Sequence, residues 1–260
     1  MAEGRITSRR NPRIQTVRRL QRSRRSRREM GLWVAEGVRL AEEALAAEWL
    51  PRWALYTPKI SPRGQAVVAA LQARGVPLWE VPPEVFAAAS ATQTPQGVLL
   101  VLPRRALPWP ENANFVLWLD GVRDPGNAGT MLRTAWAAGV QGVVLSPDTV
   151  DAFNPKVVRA AMGAHFHLPL RRAAWNEAAA LRGGKAVFLA AAGEGVPYDQ
   201  ADFLQPLVLV VGGEAEGAGA DARRAATQAV HIPMPGGAES LNAAVAAAVL
   251  LFEVVRQRRR

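Results

Sequence analysis

Apolar positions in the first hundred residues recur at two spacings. Ile14, Val17 and Leu20 fall on one helical face behind Asn11-Pro12, a capping residue followed by proline at the first helical position, and predict an amphipathic helix. Short apolar runs at 32–35, 52–56, 76–81 and 97–102 read as strands, and residues 37–48 and 61–74 as helices between them. This alternation predicts a small α/β layer domain over residues 1–103. Pro103, Pro108 and Pro110 sit close together in what reads as a stiff linker, residues 104–113. A second domain, 114–260, repeats the strand-helix pattern. Strands are expected at 115–119, 142–145, 166–168, 186–190, 207–211 and 229–232. Helices are expected from about Asn127, over 173–181, and over 240–255. Repeated βα units predict a mostly parallel sheet covered on both faces.

Two loops in this second domain carry candidate chemistry. The apolar run 207–211 is stopped by Gly212 and Gly213, ahead of Glu214 and Gly217, and glycines let backbone amides approach a ligand closely. After the strand at 229–232 come Pro233, Met234 and the Pro235-Gly236-Gly237 turn, then a helix start near Ser240. Loops leaving the carboxyl ends of neighbouring strands, followed by a helix amino terminus, are where an open α/β sheet holds a ligand. Gly and Pro between apolar runs also mark ordinary turns.

The formal charge of +10 changes the picture through its distribution. Residues 1–30 hold eleven arginines against Glu3 and Glu29, a net of +9; residues 256–260 add +4, so 31–255 sum to 10 − 9 − 4 = −3. Arginines clustered on an amino-terminal arm are the footprint of a polyanion partner. A solvated basic tail is the alternative. Arg9, Arg10, Arg13, Arg18 and Arg22 are the candidate polyanion-contacting residues. The chain has no cysteine and three histidines, which excludes thiolate chemistry and argues against a zinc site. No apolar run approaches a membrane span and none resembles a signal peptide, so the expected location is cytoplasmic. Neither G-x-G-x-x-G nor G-x-x-x-x-G-K-[ST] follows a strand, which disfavours a dinucleotide-dependent oxidoreductase.

Three motifs occur in order. Asp120-Gly121-Val122-Arg123-Asp124-Pro125-Gly126-Asn127 runs on to Arg133; Gly212-Gly213-Glu214-Ala215-Glu216-Gly217 follows; Ile232-Pro233-Met234 and Ser240-Leu241-Asn242 close the set. Together they resemble the motifs of the SpoU (TrmH) family of RNA ribose 2′-O-methyltransferases. Ser146-Pro147-Asp148 and residues 154–164 also look familial. The strings Ser8 to Ile14, Glu36 to Ala44 and Thr94-Pro95-Gln96-Gly97-Val98 resemble the RNA-binding domain that precedes the catalytic domain in many members, itself similar to a ribosomal-protein fold. Gly213, where asparagine or alanine is commoner, and Ala243-Ala244, where valine-serine is common, depart from the family pattern.

The resemblance implies a SPOUT domain whose carboxy-terminal segment forms a deep trefoil knot, a homodimer with the site built across its interface, and S-adenosylmethionine as cofactor. It places cofactor binding at Gly212, Gly213, Glu214, Gly217, Ile232, Met234 and Leu241, and catalysis at Asn127, Arg133, Ser240 and Asn242. The substrate expected is structured RNA, ribosomal RNA ahead of transfer RNA, and a non-catalytic RNA-binding member of the fold is the rival. A sulfonium is already a good leaving group, so no metal is needed. A guanidinium is a poor base, so Arg133 is expected to hold a neighbouring phosphate and steady the developing alkoxide while a phosphate oxygen or water takes the proton. Glu214 is expected to brace the loop or the partner subunit.

Overall fold

The computed structural model describes residues 4–177, 179–214 and 217–259. They pack as two compact units, one of residues up to 105 together with 153–166, the other of 106–152 together with residues from 167 onward. Among the described residues no helix is long and apolar enough to cross a membrane.

The first unit opens with β1 (Gly4–Arg5), α1 (Pro12–Arg22), α2 (Arg24–Met30), β2 (Leu32–Glu36) and α3 (Val38–Ala46). It continues through β3 (Trp53–Tyr56), α4 (Pro62–Ala73), β4 (Leu78–Glu80), α5 (Pro83–Ala89) and β5 (Val98–Pro103). Its five strands form a mixed sheet in the order β1-β4-β3-β5-β2, with β5 antiparallel to both of its neighbours. Asn11 caps α1 as expected, its Oδ1 accepting from the Arg13 amide at 2.9 Å. Ile14, Val17 and Leu20 have no exposed surface and pack with Leu55, Phe86 and Leu99. The basic segment is therefore part of the domain core and not an appended arm. Its second helix, α2, escapes a periodicity reading because it has no aliphatic position to show a face. Ser23 begins it by accepting from Ser26, and Gly31 ends it in a left-handed conformation at φ 61°.

The second unit begins with β6 (Phe115–Asp120), α6 (Pro125–Ala137) and β7 (Gly142–Leu145); α7 (Pro155–Ala161) belongs to the first unit. There follow β8 (Leu170–Arg172), α8 (Ala179–Arg182), β9 (Ala186–Ala190) and β10 (Val196–Pro197). β11 (Leu207–Gly212), α9 (Ala220–Ala225), β12 (Gln228–His231) and α10 (Ala243–Arg258) complete it. Seven strands lie in the order β10-β12-β9-β11-β6-β7-β8, and every pairing is parallel. The chain moves outward from β6 to β8, then resumes on the other side of β6. The order thus reverses between β6 and β11, the place where open parallel sheets bind ligands. Both strands are buried throughout, matching their uninterrupted apolar runs.

Three expected elements shift. The strand at 166–168 is replaced by a 3-10 turn at Ala164–Phe166 and by β8, which starts only after Pro169, a residue with no amide to give to the ladder. The helix over 173–181 shrinks to α8, because Trp175 turns inward to stack on Trp118 at 3.8 Å and donate to Asp120. The last helix begins at Ala243, with Asn242 and not Ser240 as its cap.

Candidate active site

The loop after β6 is built by hydrogen bonds that its own sequence supplies. Asp124 Oδ1 accepts from the Asn127 amide at 2.7 Å, and Pro125 occupies the first helical position, so α6 starts with Asn127 in its first turn. Across the switch point, Gly213 and Gly217 exchange both backbone hydrogen bonds, at 3.1 and 3.0 Å, which closes the loop after β11. Residues 215 and 216 of this motif lie outside the described residues. Close approach explains the glycines: a Cβ on Gly212 would meet the Gly217 carbonyl carbon at 2.2 Å, and one on Gly213 would meet the Gly121 carbonyl oxygen at 2.6 Å. The departure at Gly213 thus has a steric basis in this chain.

Three side chains from the three motifs then meet. Asn127 Nδ2 donates to Glu214 Oε1; Asn242 Nδ2 donates to the same oxygen at 3.0 Å and to Asn127 Oδ1 at 3.1 Å. Asn242 also caps α10, its Oδ1 accepting from the amides of Ala244 and Val245 at 2.9 and 3.3 Å. One carboxylate, fed by two amide side chains, fixes the relative positions of the loops after β6 and β11 and the start of α10.

Two cavities flank this network. One, of about 630 Å³, is lined by Gly212, Gly213, Glu214 and Gly217, by Ile232 and Met234 after β12, and by Ser240, Leu241 and Asn242 before α10. Its size is that of a small-ligand site, and its walls combine apolar side chains with backbone from three loops. The other, of about 490 Å³, lies over the ends of β6 and β7 and is lined by Asp120, Asn127, Asp148 and Trp175 among others. Gly213, Glu214, Gly217 and Ala243 border both.

All the residues expected to hold cofactor therefore surround one cavity, joined there by Ser240 and Asn242, while Asn127 lines the other. Arg133 lines neither. It is exposed on α6, and no hydrogen bond or ion pair, to Asp124 or to any other described residue, is seen for it. Of the expected RNA-contacting arginines, Arg9, Arg10, Arg13 and Arg22 are exposed and Arg18 is half-buried; Arg13 lies over the Trp79 ring at 3.8 Å. Sequence reasoning placed Asp120 at the head of a motif but gave it no role; it is buried and accepts from Trp175 Nε1 at 3.2 Å and the Gly219 amide at 2.7 Å. A lone aspartate closing an apolar strand at a ligand-binding loop was the available signal.

Both parts of the chain match known families. The model of the SpoU rRNA Methylase family matches residues 114–252, and that of the MRM3-like substrate binding domain matches 11–100. The chain is 34% identical to the 23S rRNA (guanosine(2553)-2′-O)-methyltransferase RlmP of Bacillus subtilis, over 96% of this chain and 98% of that protein. It is 32% identical to the 23S rRNA (uridine(2479)-2′-O)-methyltransferase of Streptomyces viridochromogenes, over 99% and 93%. Among solved structures, the AdoMet-bound rRNA methyltransferase from Sinorhizobium meliloti superposes with a TM-score of 0.84 at 32% identity, covering 98% of each chain. The SpoU methyltransferase AviRb from Streptomyces viridochromogenes with AdoMet gives 0.85 at 29% identity, over 96% and 99%.

Proposed function

Because this chain belongs to the SpoU rRNA methylase family, we propose that it methylates a ribose 2′-hydroxyl of ribosomal RNA with S-adenosylmethionine. The observation that carries the reading is the pair of cavities sharing a wall at the sheet's switch point, one ringed by glycine loops and apolar side chains, the other open beside the Asn127–Glu214–Asn242 network. When bound, S-adenosylmethionine supplies a methyl group on a positively charged sulfur that leaves readily.

Ile232, Met234 and Leu241 offer apolar surface to the cofactor, and the loops at Gly212 and Gly213 bring backbone close to it. Asn127, Ser240 and Asn242 orient the incoming nucleotide at the common wall, and holding the nucleophile in line lowers the barrier by supplying proximity and orientation in advance. Glu214 braces the loops. Arg133 binds an adjacent phosphate and steadies the developing alkoxide, with a phosphate oxygen or water accepting the proton.

Its absence from both cavities is accounted for by a homodimer in which each Arg133 serves the neighbouring subunit's site. α10 packs on α6 and leaves Val245 and Phe252 about half exposed, an apolar face suited to a second copy. Arg9, Arg10, Arg13, Arg18 and Arg22 gather the RNA backbone on the first unit. The reaction takes place in the cytoplasm.

Calorimetry with S-adenosylmethionine, followed by transfer of its tritiated methyl group to ribosomal RNA, tests the reading. Micromolar binding and label recovered as 2′-O-methylnucleoside are expected. No binding at millimolar cofactor would overturn it.

A further inference from the structure

The cavity over β6 and β7 has a lining that the proposed roles leave unused. Among the described residues five carboxylates border it, those of Asp120, Asp124, Asp148, Glu214 and Asp221, against one guanidinium, Arg123. Such a lining repels phosphate and accepts hydrogen bonds. Four of the five are already committed. Asp120 holds Trp175 and Gly219, Asp124 caps α6, Glu214 serves the two asparagines, and Asp221 pairs with Arg224. Asp148, which is exposed at the cavity mouth, has no hydrogen bond or ion pair among the described residues.

The loop that presents Asp148 is nevertheless tightly held. Arg172 Nη1 donates to the carbonyls of Ser146 and Pro147 at 2.7 and 2.8 Å, and its Nη2 to those of Thr149 and Val150, both at 3.0 Å. Thr149 Oγ1 donates to the Leu119 carbonyl at 2.8 Å, and the Gly121 amide to Ser146 Oγ at 2.9 Å. A guanidinium clamped on four carbonyls fixes the backbone on both sides of an exposed carboxylate that makes no bond to another described residue. Beside it, Trp175, largely buried and stacked on Trp118, contributes an aromatic part of the cavity wall.

We propose that this cavity receives the base of the target nucleotide, unstacked from the RNA, and that Asp148 reads its hydrogen-bond-donor edge. The proposal rests on the methyltransferase reading: a ribose placed at the wall common to both cavities puts its base in this one. A free carboxylate has two acceptor oxygens, and among the four bases guanine alone presents two adjacent donors, N1–H and the 2-amino group, on its pairing edge. Guanosine is therefore the favoured target, and Asp148 a specificity residue that takes no part in methyl transfer. Unpaired bases are commonly read in this way, by their exposed pairing edge against an aromatic wall.

The full-length protein is first given total RNA from a strain lacking the gene and tritiated S-adenosylmethionine, and the labelled nucleoside is identified. Transcripts of the mapped segment are then made with guanosine or with inosine, which lacks the 2-amino group, at the target position. Wild type should deposit 2′-O-methylguanosine and lose about tenfold or more in kcat/KM on inosine. Asp148→Ala should lose a similar factor on guanosine, show less than about a twofold further loss on inosine, and keep its cofactor affinity. Label on another nucleoside, or an equal inosine penalty in both proteins, overturns the base-reading role while leaving the methyltransferase reading intact. Absence of both transfer and cofactor binding in wild type sinks the two together.

Discussion

Asn242 donates through Nδ2 to Glu214 Oε1 at 3.0 Å across 28 residues of sequence, while the other end of the same amide caps α10. A single side chain thus couples the last helix to the loop after the central strand β11. Asn242→Asp separates the two functions, since it keeps the capping acceptor and turns the donor facing Glu214 into a second carboxylate oxygen. The expected result is an unchanged circular-dichroism spectrum with cofactor affinity reduced by about tenfold, from the lost charge-assisted bond and the new repulsion. Calorimetry with S-adenosylmethionine measures it, and unchanged affinity would dissociate the network from the cofactor cavity.

Gly212→Ala should act more severely. The added Cβ would lie 2.2 Å from both the Gly217 carbonyl carbon and the Ala218 amide nitrogen, backbone atoms that cannot move without opening the loop. Loss of detectable cofactor binding is expected, with the first unit's fold retained. Hydrogen exchange of β11 and its loop would locate the damage.

Arg133→Ala should abolish transfer and leave cofactor affinity within about twofold, since the side chain lines neither cavity. The shared-site dimer adds a sharper expectation. Mixing Arg133→Ala with Gly212→Ala, each inactive alone, should restore part of the activity through mixed dimers that contain one complete site. No recovery after subunit exchange would mean that Arg133 serves its own chain.

Removal of residues 9–28 would unfold the first unit instead of testing RNA contact, because it takes out Ile14, Val17 and Leu20 from the core. Replacing the exposed Arg9, Arg10 and Arg22 with glutamine is the cleaner experiment. If all three touch phosphates, the salt slope of RNA binding should flatten by roughly 2 to 3 units, at about 0.7 to 0.9 per contact. Fluorescence anisotropy over a salt series checks this, and an intact slope would make these arginines a solvated face.

Much of the architecture was legible because it rests on local signals. Uninterrupted apolar runs announced β6 and β11, Asn11-Pro12 announced α1, and the glycines at 212 and 213 marked the loop where the chain must pass close to itself. The failures have physical causes as well. α2 has no apolar stripe to read, β8 waits for Pro169 to pass, and the helix expected over 173–181 yields its first turn to a tryptophan whose partners, Trp118 and Asp120, are more than fifty residues away.

The sequence by itself determined that this chain is an α/β protein with arginine concentrated at its ends and three motifs in the order of a known family, since composition, periodicity and spacing are properties of the chain alone. Tertiary structure decided that Asn127, Glu214 and Asn242 converge on one carboxylate oxygen, that Arg133 stands outside both cavities, and that the basic segment is half core. It also decided that Asp148 borders the cavity over β7 with no partner among the described residues. These facts depend on which strand lies beside which, and the reversal of strand order between β6 and β11 is a consequence of packing seven strands into one sheet that no local stretch of residues encodes.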